Sequence, residues 1–233
     1  MPVYRLADLN IAYEPQYDDT AALLTPFETA GEAHLTLHLS PSAMQEELSR
    51  LPAATNGVRE AAALLRAVSA QLPAFDRLVL HAASVTMDGH AYTFVAPSGT
   101  GKTTHVRLWK QRFAGRAEIL NGDRLLVHIR KDGVMAFGGP WRGKEGLGQN
   151  AFAPLKGLFL LTRSDMARCE PLSPSEMLPH LLRAVRYPKS EKERLQTLSL
   201  LEQLISLVPC YRLYAPLSMS AAEAAFTQTG GIL

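Results

Sequence analysis

The sequence predicts an α/β protein with a small sheet-rich appendage over residues 1–55 and a larger domain over residues 56–233. Three observations carry that reading. Apolar runs rich in Val, Leu, Ile and aromatic residues recur as strands, at 78–85, 91–95, 117–120, 125–129 and 155–161. Helical periodicity appears between and after them, at 57–72, 176–182 and 190–207. At 91–110 a strand, a glycine-bearing turn and a helix follow one another without a gap.

Composition sets the frame. The 233 residues are 47% hydrophobic and 20% charged, ordinary values for a globular chain able to bury a core. No apolar run is long enough to span a membrane, and the start Met1-Pro2-Val3-Tyr4-Arg5 lacks a signal-peptide pattern, so the cytoplasm is the expected compartment and no membrane partner is expected. Cys169 and Cys210 have neither metal-ligand spacing nor a disulfide framework and read as small buried hydrophobes. The net charge of +2 conceals a basic block over 101–145, preceded by an acidic N-terminal stretch. A block of this kind suits a polyanionic ligand. It lacks interleaved aromatics and any nucleic-acid motif, so nucleic acid is not an expected partner.

Taken in order, Tyr4, Leu6, Leu9 and Ile11 suggest a strand, and Leu35, Leu37 and Leu39 alternate with polar residues as a half-buried strand does. His34 and His38 are expected on its solvent side. Pro41-Ser42 opens a short helix that Pro52 ends. The next helix, 57–72, places Val58, Leu64, Leu65 and Val68 inward and Arg59, Glu60 and Arg66 on its wetter side. Asp88-Gly89 then turns the strand 78–85 back into 91–95 as a hairpin, which would set His81 and Ser84 beside the following loop.

That loop is Ala96-Pro97-Ser98-Gly99-Thr100-Gly101-Lys102-Thr103. Its two glycines let backbone N–H groups turn inward onto phosphate oxygens, and the helix behind it adds its positive end. Lys102 would reach the outer phosphates and the Thr103 hydroxyl would meet Mg²⁺. Ala96 replaces the glycine that usually opens such a loop. The strand 117–120 delivers Asn121-Gly122-Asp123, whose carboxylate would complete a nucleotide site. Five glycines fall within 138–148, around Trp141, Arg142 and Lys144, as a shaped loop that could move over the phosphate loop. Beyond it, Arg183 and Arg186 read as substrate ligands or, more often for such residues, as solvated helix charges. The helix 190–207 is marked by Leu195, Leu198, Leu201, Leu204 and Ile205, and 211–214 and 220–226 supply a last strand and helix.

Two patterns now coincide. His81-Ala82-Ala83-Ser84 resembles the His-x-Ser segment that precedes the phosphate loop in the HPr kinase and ATP-dependent PEP carboxykinase superfamily. Ser98-Gly99-Thr100-Gly101-Lys102-Thr103-Thr104 resembles the carboxykinase phosphate loop, and Asn121-Gly122-Asp123 matches the place where those families carry Asp-Asp. Gly139-Pro140-Trp141-Arg142-Gly143-Lys144-Glu145 is similar to the glycine-rich loop of small HPr-kinase-like proteins, some of which accompany peptide-tailoring systems. The resemblance spans roughly residues 75–162. Arg124 stands where the second Asp would be.

The resemblance implies a PEP carboxykinase/HPr kinase-like P-loop fold and an ATP- and Mg²⁺-dependent phosphotransferase acting on a hydroxyl of a protein, peptide or small molecule. Ser98 to Thr104 would hold the nucleotide, and Thr103 and Asp123 the metal. Asp123 would take the acceptor proton, His81 would contact the γ-phosphate or order Asp123, and Arg142 or Lys144 would stabilise the transferring group. The chain is too short for a full carboxykinase. A nucleotide-binding regulatory module with little or no transfer is the alternative, and homo-oligomers are common among such relatives.

Overall fold

The computed structural model describes residues 1–188 and 190–232. It opens on an antiparallel hairpin, β1 (Val3–Leu6) and β2 (Leu9–Ala12), turned at Ala7 and Asp8 with φ of 49° and 61°. Two successive left-handed residues make the tight turn that matches strand twist. The single strand expected through Tyr4 and Ile11 is therefore two. β3 (Leu35–Thr36) adds in parallel to β2 and is only two residues long, where the leucine alternation predicts more. The reason lies just downstream: Ser40 caps the helix α2 and Pro41 occupies its first turn, so the chain must leave the sheet.

A helix not anticipated from sequence, α1 (Asp18–Leu24), precedes α2 (Pro41–Arg50), so helix and strand share this N-terminal region. At seven residues α1 is too short to show a period. α3 (Asn56–Gln71) starts from the Thr55 cap and packs against both α1 and α2 as well as the sheet beneath. Its buried arc is consequently wider than one apolar stripe. Glu60, expected in water, is 1% exposed and accepts hydrogen bonds from Tyr13 Oη (2.7 Å) and the amides of Gln16 (2.7 Å) and Tyr17 (3.2 Å). Val58, expected inside, is 48% exposed.

The main sheet is built around β4 (Arg77–Met87). It also contains β5 (His90–Val95), β6 (Ala117–Asn121), β7 (Arg124–Arg130), β8 (Gly133–Phe137), β9 (Phe152–Arg163), β10 (Arg168–Pro171) and β11 (Cys210–Ala215). The strand order is β10-β11-β9-β5-β4-β7-β8, with β6 also on β4. β9 pairs in parallel with β5 and β11, and through its first residues antiparallel with β8, so the sheet folds back on itself. β10, a short and partly exposed strand, is not predicted by the sequence pattern.

Period-two alternation along β4 divides the core. Leu78, Leu80 and Ala82 pack with α5 (Pro174–Ala184) and α6 (Glu191–Leu207). Val79 faces the N-terminal layer and α3, while Ala83, Val85 and Met87 meet α4 (Lys102–Arg112) and α7 (Ser220–Gln228). On α6 the expected apolar row breaks down. Leu201 and Leu204 are buried, but Leu195 is 61% exposed. Steps of three residues lag about 60° each on a helix, so three steps carry Leu204 to the face opposite Leu195. Cys210 is buried and Cys169 only half so; burial pushes both thiols up, to about 11 and about 12. Among the described residues no helix is long and apolar enough to cross a membrane.

Candidate active site

β5 ends on buried Val95, and the chain turns through Gly99 (φ 78°) and Gly101 (φ 111°) into α4. A Cβ at either glycine would meet nothing within 4 Å. What requires glycine there is the left-handed backbone. Gly101 is the N-cap and supplies no side-chain acceptor, which leaves the first-turn amides for an anion. Lys102 is 7% exposed, and its Nζ donates to the carbonyls of Ala96 (2.8 Å) and Pro97 (3.4 Å). Burial lowers its pKa, an effect that Asp123 opposes and Arg124 assists. Thr103 is half-buried, while Ser98 and Thr104 face solvent.

Arg163, which no sequence motif marks, braces this loop. β9 runs parallel to β5, so its last residue emerges at the same edge, and the guanidinium donates to the carbonyls of Thr100 (3.2 Å from Nε) and Gly99. Arg163, Gly99, Thr104, Leu108 and Leu217 line a cavity of about 820 Å³ against the loop. Behind it His105 is 2% exposed; its Nε2 accepts from Trp109 Nε1 at 3.0 Å and its ring stands edge-on to Phe94. Burial drives its pKa down to about 3.

The carboxylate arrives from the other edge of β4. β6 pairs with β4 at 84–87 and β7 pairs with it at 77–81. Gly122-Asp123 is the step where one strand hands over to the next, and the Asp123 carbonyl accepts from Ala82 N at 3.0 Å. Asn121, fully buried, fixes that step. Its Oδ1 accepts from the amides of Asp123 and Arg124, both at 2.9 Å, and its Nδ2 donates to Gly139 O. The Asp123 side chain then lies 3.2 Å from His81 Nε2 and 3.3 Å from Arg124 Nε. Burial would raise its pKa, but His81, Arg124 and Lys102 outweigh that and hold the carboxyl below its ordinary value.

The glycine-rich loop is more firmly placed than its composition suggests. Gly138, Gly139, Pro140 and Trp141 are buried, and Trp141 Nε1 donates to Ala61 O on α3 at 2.9 Å. The far end is tied too: Leu147 O accepts from Gly122 N, and Gly148 bridges to Asn121. Only 143–146 projects, with Glu145 paired to Arg107 of α4. An amphipathic Trp needs both a pocket and an acceptor, and meeting both anchors the segment.

His81 and Asp123 are thus brought together, with Lys102 within electrostatic reach of the carboxylate and Thr103 in the same first helical turn as Lys102. Arg142 and Lys144 are not brought there. The Arg142 guanidinium lies 5.8 Å from the Phe27 ring centre, and Lys144 sits exposed in the projecting turn. Ser84, expected beside the loop, is fully buried and donates to Tyr92 O, because it pairs with Thr93 two residues short of the strand end. Arg183 is exposed as expected, whereas Arg186 is half-buried. Arg163 and Asn121 were missed. Asn121 has a signal, an Asn two residues before an Asp with Gly between them; Arg163 has none without knowing that β9 and β5 are neighbours.

No protein-family model matches the chain, and no curated protein matches it. Among solved structures, the HPr(Ser) kinase/phosphatase from Coxiella burnetii aligns at 11% identity over 52% of this chain and 92% of that one, with a TM-score of 0.28. So loose a superposition carries no argument.

Proposed function

We propose that the chain is an ATP- and Mg²⁺-dependent phosphotransferase of HPr-kinase-like fold that moves the γ-phosphoryl group to a hydroxyl. The observation that carries it is an ionised Asp123, held by His81, within electrostatic reach of a sheltered loop lysine, Lys102. Phosphoryl transfer asks for alignment and charge rather than covalent help, and these groups supply both. The inward amides and Lys102 would hold the phosphate tail, with Ser98, Thr100 and Thr104 along its path.

The donors present suit Mg²⁺. Thr103 offers a hydroxyl and Asp123 a carboxylate, both hard oxygen ligands, and among the described residues no group of three or more His, Cys, Asp or Glu gathers. Such an ion would take most of its ligands from phosphate and water. When bound, it supplies charge neutralisation at the β- and γ-oxygens. Asp123 orients the acceptor hydroxyl and receives its proton late, as befits a carboxylate with a lowered pKa, and His81 keeps it aimed. Arg124 adds positive charge where the related families carry a second Asp. Lys144 would join only if the 143–146 turn swung inward, and Arg142 only if its guanidinium left Phe27.

The test is labelled ATP with Mg²⁺, incubated with a desalted extract beside Lys102→Ala and Asp123→Asn controls. Label on one protein, peptide or metabolite with the wild type alone is the expected result. Nucleotide binding without any labelled product would instead favour a regulatory module, the reading that Ala96 and Arg124 motivate.

A further inference from the structure

The phosphate loop borders a space that the Asp123 corner does not reach. β5, β9 and β11 run parallel to one another, so the chain leaves all three at one edge of the sheet. The exits are the phosphate loop, the segment 163–165 and the segment 215–217, and with α4 they enclose the cavity of about 820 Å³. The crevice outside the carboxyl ends of parallel strands is where such sheets bind ligands, and the volume is that of a small-molecule pocket.

The lining divides by chemistry. Leu108, Leu161 and Leu217 form an apolar wall, with Leu217 on the rim at 82% exposure. Arg163 lines the cavity while its Nε and Nη2 donate to the loop carbonyls, and a guanidinium so held offers its flat face to a ring. Asp165, also in the lining, is exposed and has no hydrogen bond or ion pair among the described residues. A carboxylate there would repel a phosphate tail but can accept from uncharged hydroxyls.

The loop itself has a direction. Lys102 turns its tip back to Ala96 O, whereas Thr104, two residues on, lines the cavity. Lys102, His81 and Asp123 do not line it. A phosphate tail on the loop thus has its transferring end at Lys102 and its other end at the cavity. We infer that the cavity takes the nucleoside of the phosphate donor, with the base against Leu217 and the Arg163 face, and that Asp165 accepts from the ribose hydroxyls. The inference rests on the phosphotransferase reading and assigns the sugar and base of that donor to side chains of this chain. Leu217 loses exposed apolar surface to the base, and Asp165 gains the donors it lacks in the free protein.

The experiment is calorimetric titration of the full chain with MgADP, Mg-pyrophosphate, Mg-2′-deoxyADP and MgGDP. MgADP should bind at least about tenfold tighter than Mg-pyrophosphate, about tenfold tighter than the 2′-deoxy nucleotide and within about threefold of MgGDP. Leu217→Ser should weaken MgADP about fivefold and leave Mg-pyrophosphate as in the wild type. Asp165→Ala should bring ADP and 2′-deoxyADP within about twofold of each other, a loss of discrimination that removal of charge alone would not produce. Both side chains are exposed, so neither change disturbs the core. ADP no tighter than pyrophosphate, unchanged ADP affinity in Leu217→Ser, or a sugar discrimination that is absent or survives Asp165→Ala would overturn the inference and leave the phosphotransferase reading standing. A preference for GDP that Asp165→Ala abolishes would overturn the ribose assignment, because the carboxylate would then read the guanine edge. Binding of neither MgADP nor Mg-pyrophosphate would overturn the phosphotransferase reading, and the inference with it.

Discussion

The phosphate loop and the Asp123 corner meet at one end of the sheet, yet they are built in opposite ways. The loop is eight consecutive residues whose shape is local: two left-handed glycines, a helix start and a lysine that closes back on its own carbonyls. The corner gathers His81, Asn121, Asp123 and Arg124 from three strands and locks them with Leu147 and Trp141 carbonyls from a loop beyond. Local geometry leaves the loop open for a ligand. Long-range packing makes the corner rigid and gives Asp123 its charge state.

That contrast can be broken experimentally, beginning where the effect is greatest. Lys102→Ala removes the one buried cation of the loop and should lower phosphoryl transfer by about 10³-fold, read as single-turnover label transfer. Gly138→Ala should cost about 3 kcal/mol or more in denaturant melts, because its Cβ would lie 1.8 Å from Gln149 O and 2.7 Å from Leu120 O. Gly99→Ala meets no atom and strains only φ, so it should cost about 1 kcal/mol. Equal costs at the two glycines would erase the distinction between an open loop and a packed corner.

His105, behind the loop, links the site to pH. Its folded pKa, about 3, lies below the ordinary 6.5, so the native imidazole stays neutral. Below pH 6.5 the unfolded chain takes up a proton that the native state refuses. Stability is therefore full above that value and falls as the pH drops towards 3. Between pH 7 and pH 5 the loss should be about 2 kcal/mol, and His105→Phe should remove that part of the slope in pH-dependent melts. Least of all, Glu145→Ala breaks an exposed pair with Arg107 and should change stability by under about 0.5 kcal/mol.

The same contrast explains what could be read from sequence. The phosphate loop was legible because each of its requirements lies within a few residues of the next. The β4–β5 hairpin was legible for the same reason, with Asp88 and Gly89 both left-handed in its turn. Glu60 was misplaced because α3 is covered by α1 as well as the sheet, and a single-face period cannot register two coverings. Sequence leaves Arg186 between a substrate ligand and a solvated helix charge, because nothing near it in sequence reveals the bridge from Val185 to Leu80 that half-buries it. Arg142 looked like a site cation by its neighbours Trp141 and Lys144, but the tether of Trp141 to Ala61 turns it towards Phe27.

The division of labour between loop and corner is tested most directly by Asp123→Asn, measuring nucleotide affinity and labelled-phosphate transfer on the same preparation. Asparagine keeps the shape and removes the charge that His81 and Arg124 hold. Nucleotide affinity within a few-fold of wild type, with transfer reduced by about 10²-fold or more, is the predicted result. Undiminished transfer would contradict the account, because the corner would then hold a carboxylate that the chemistry does not use.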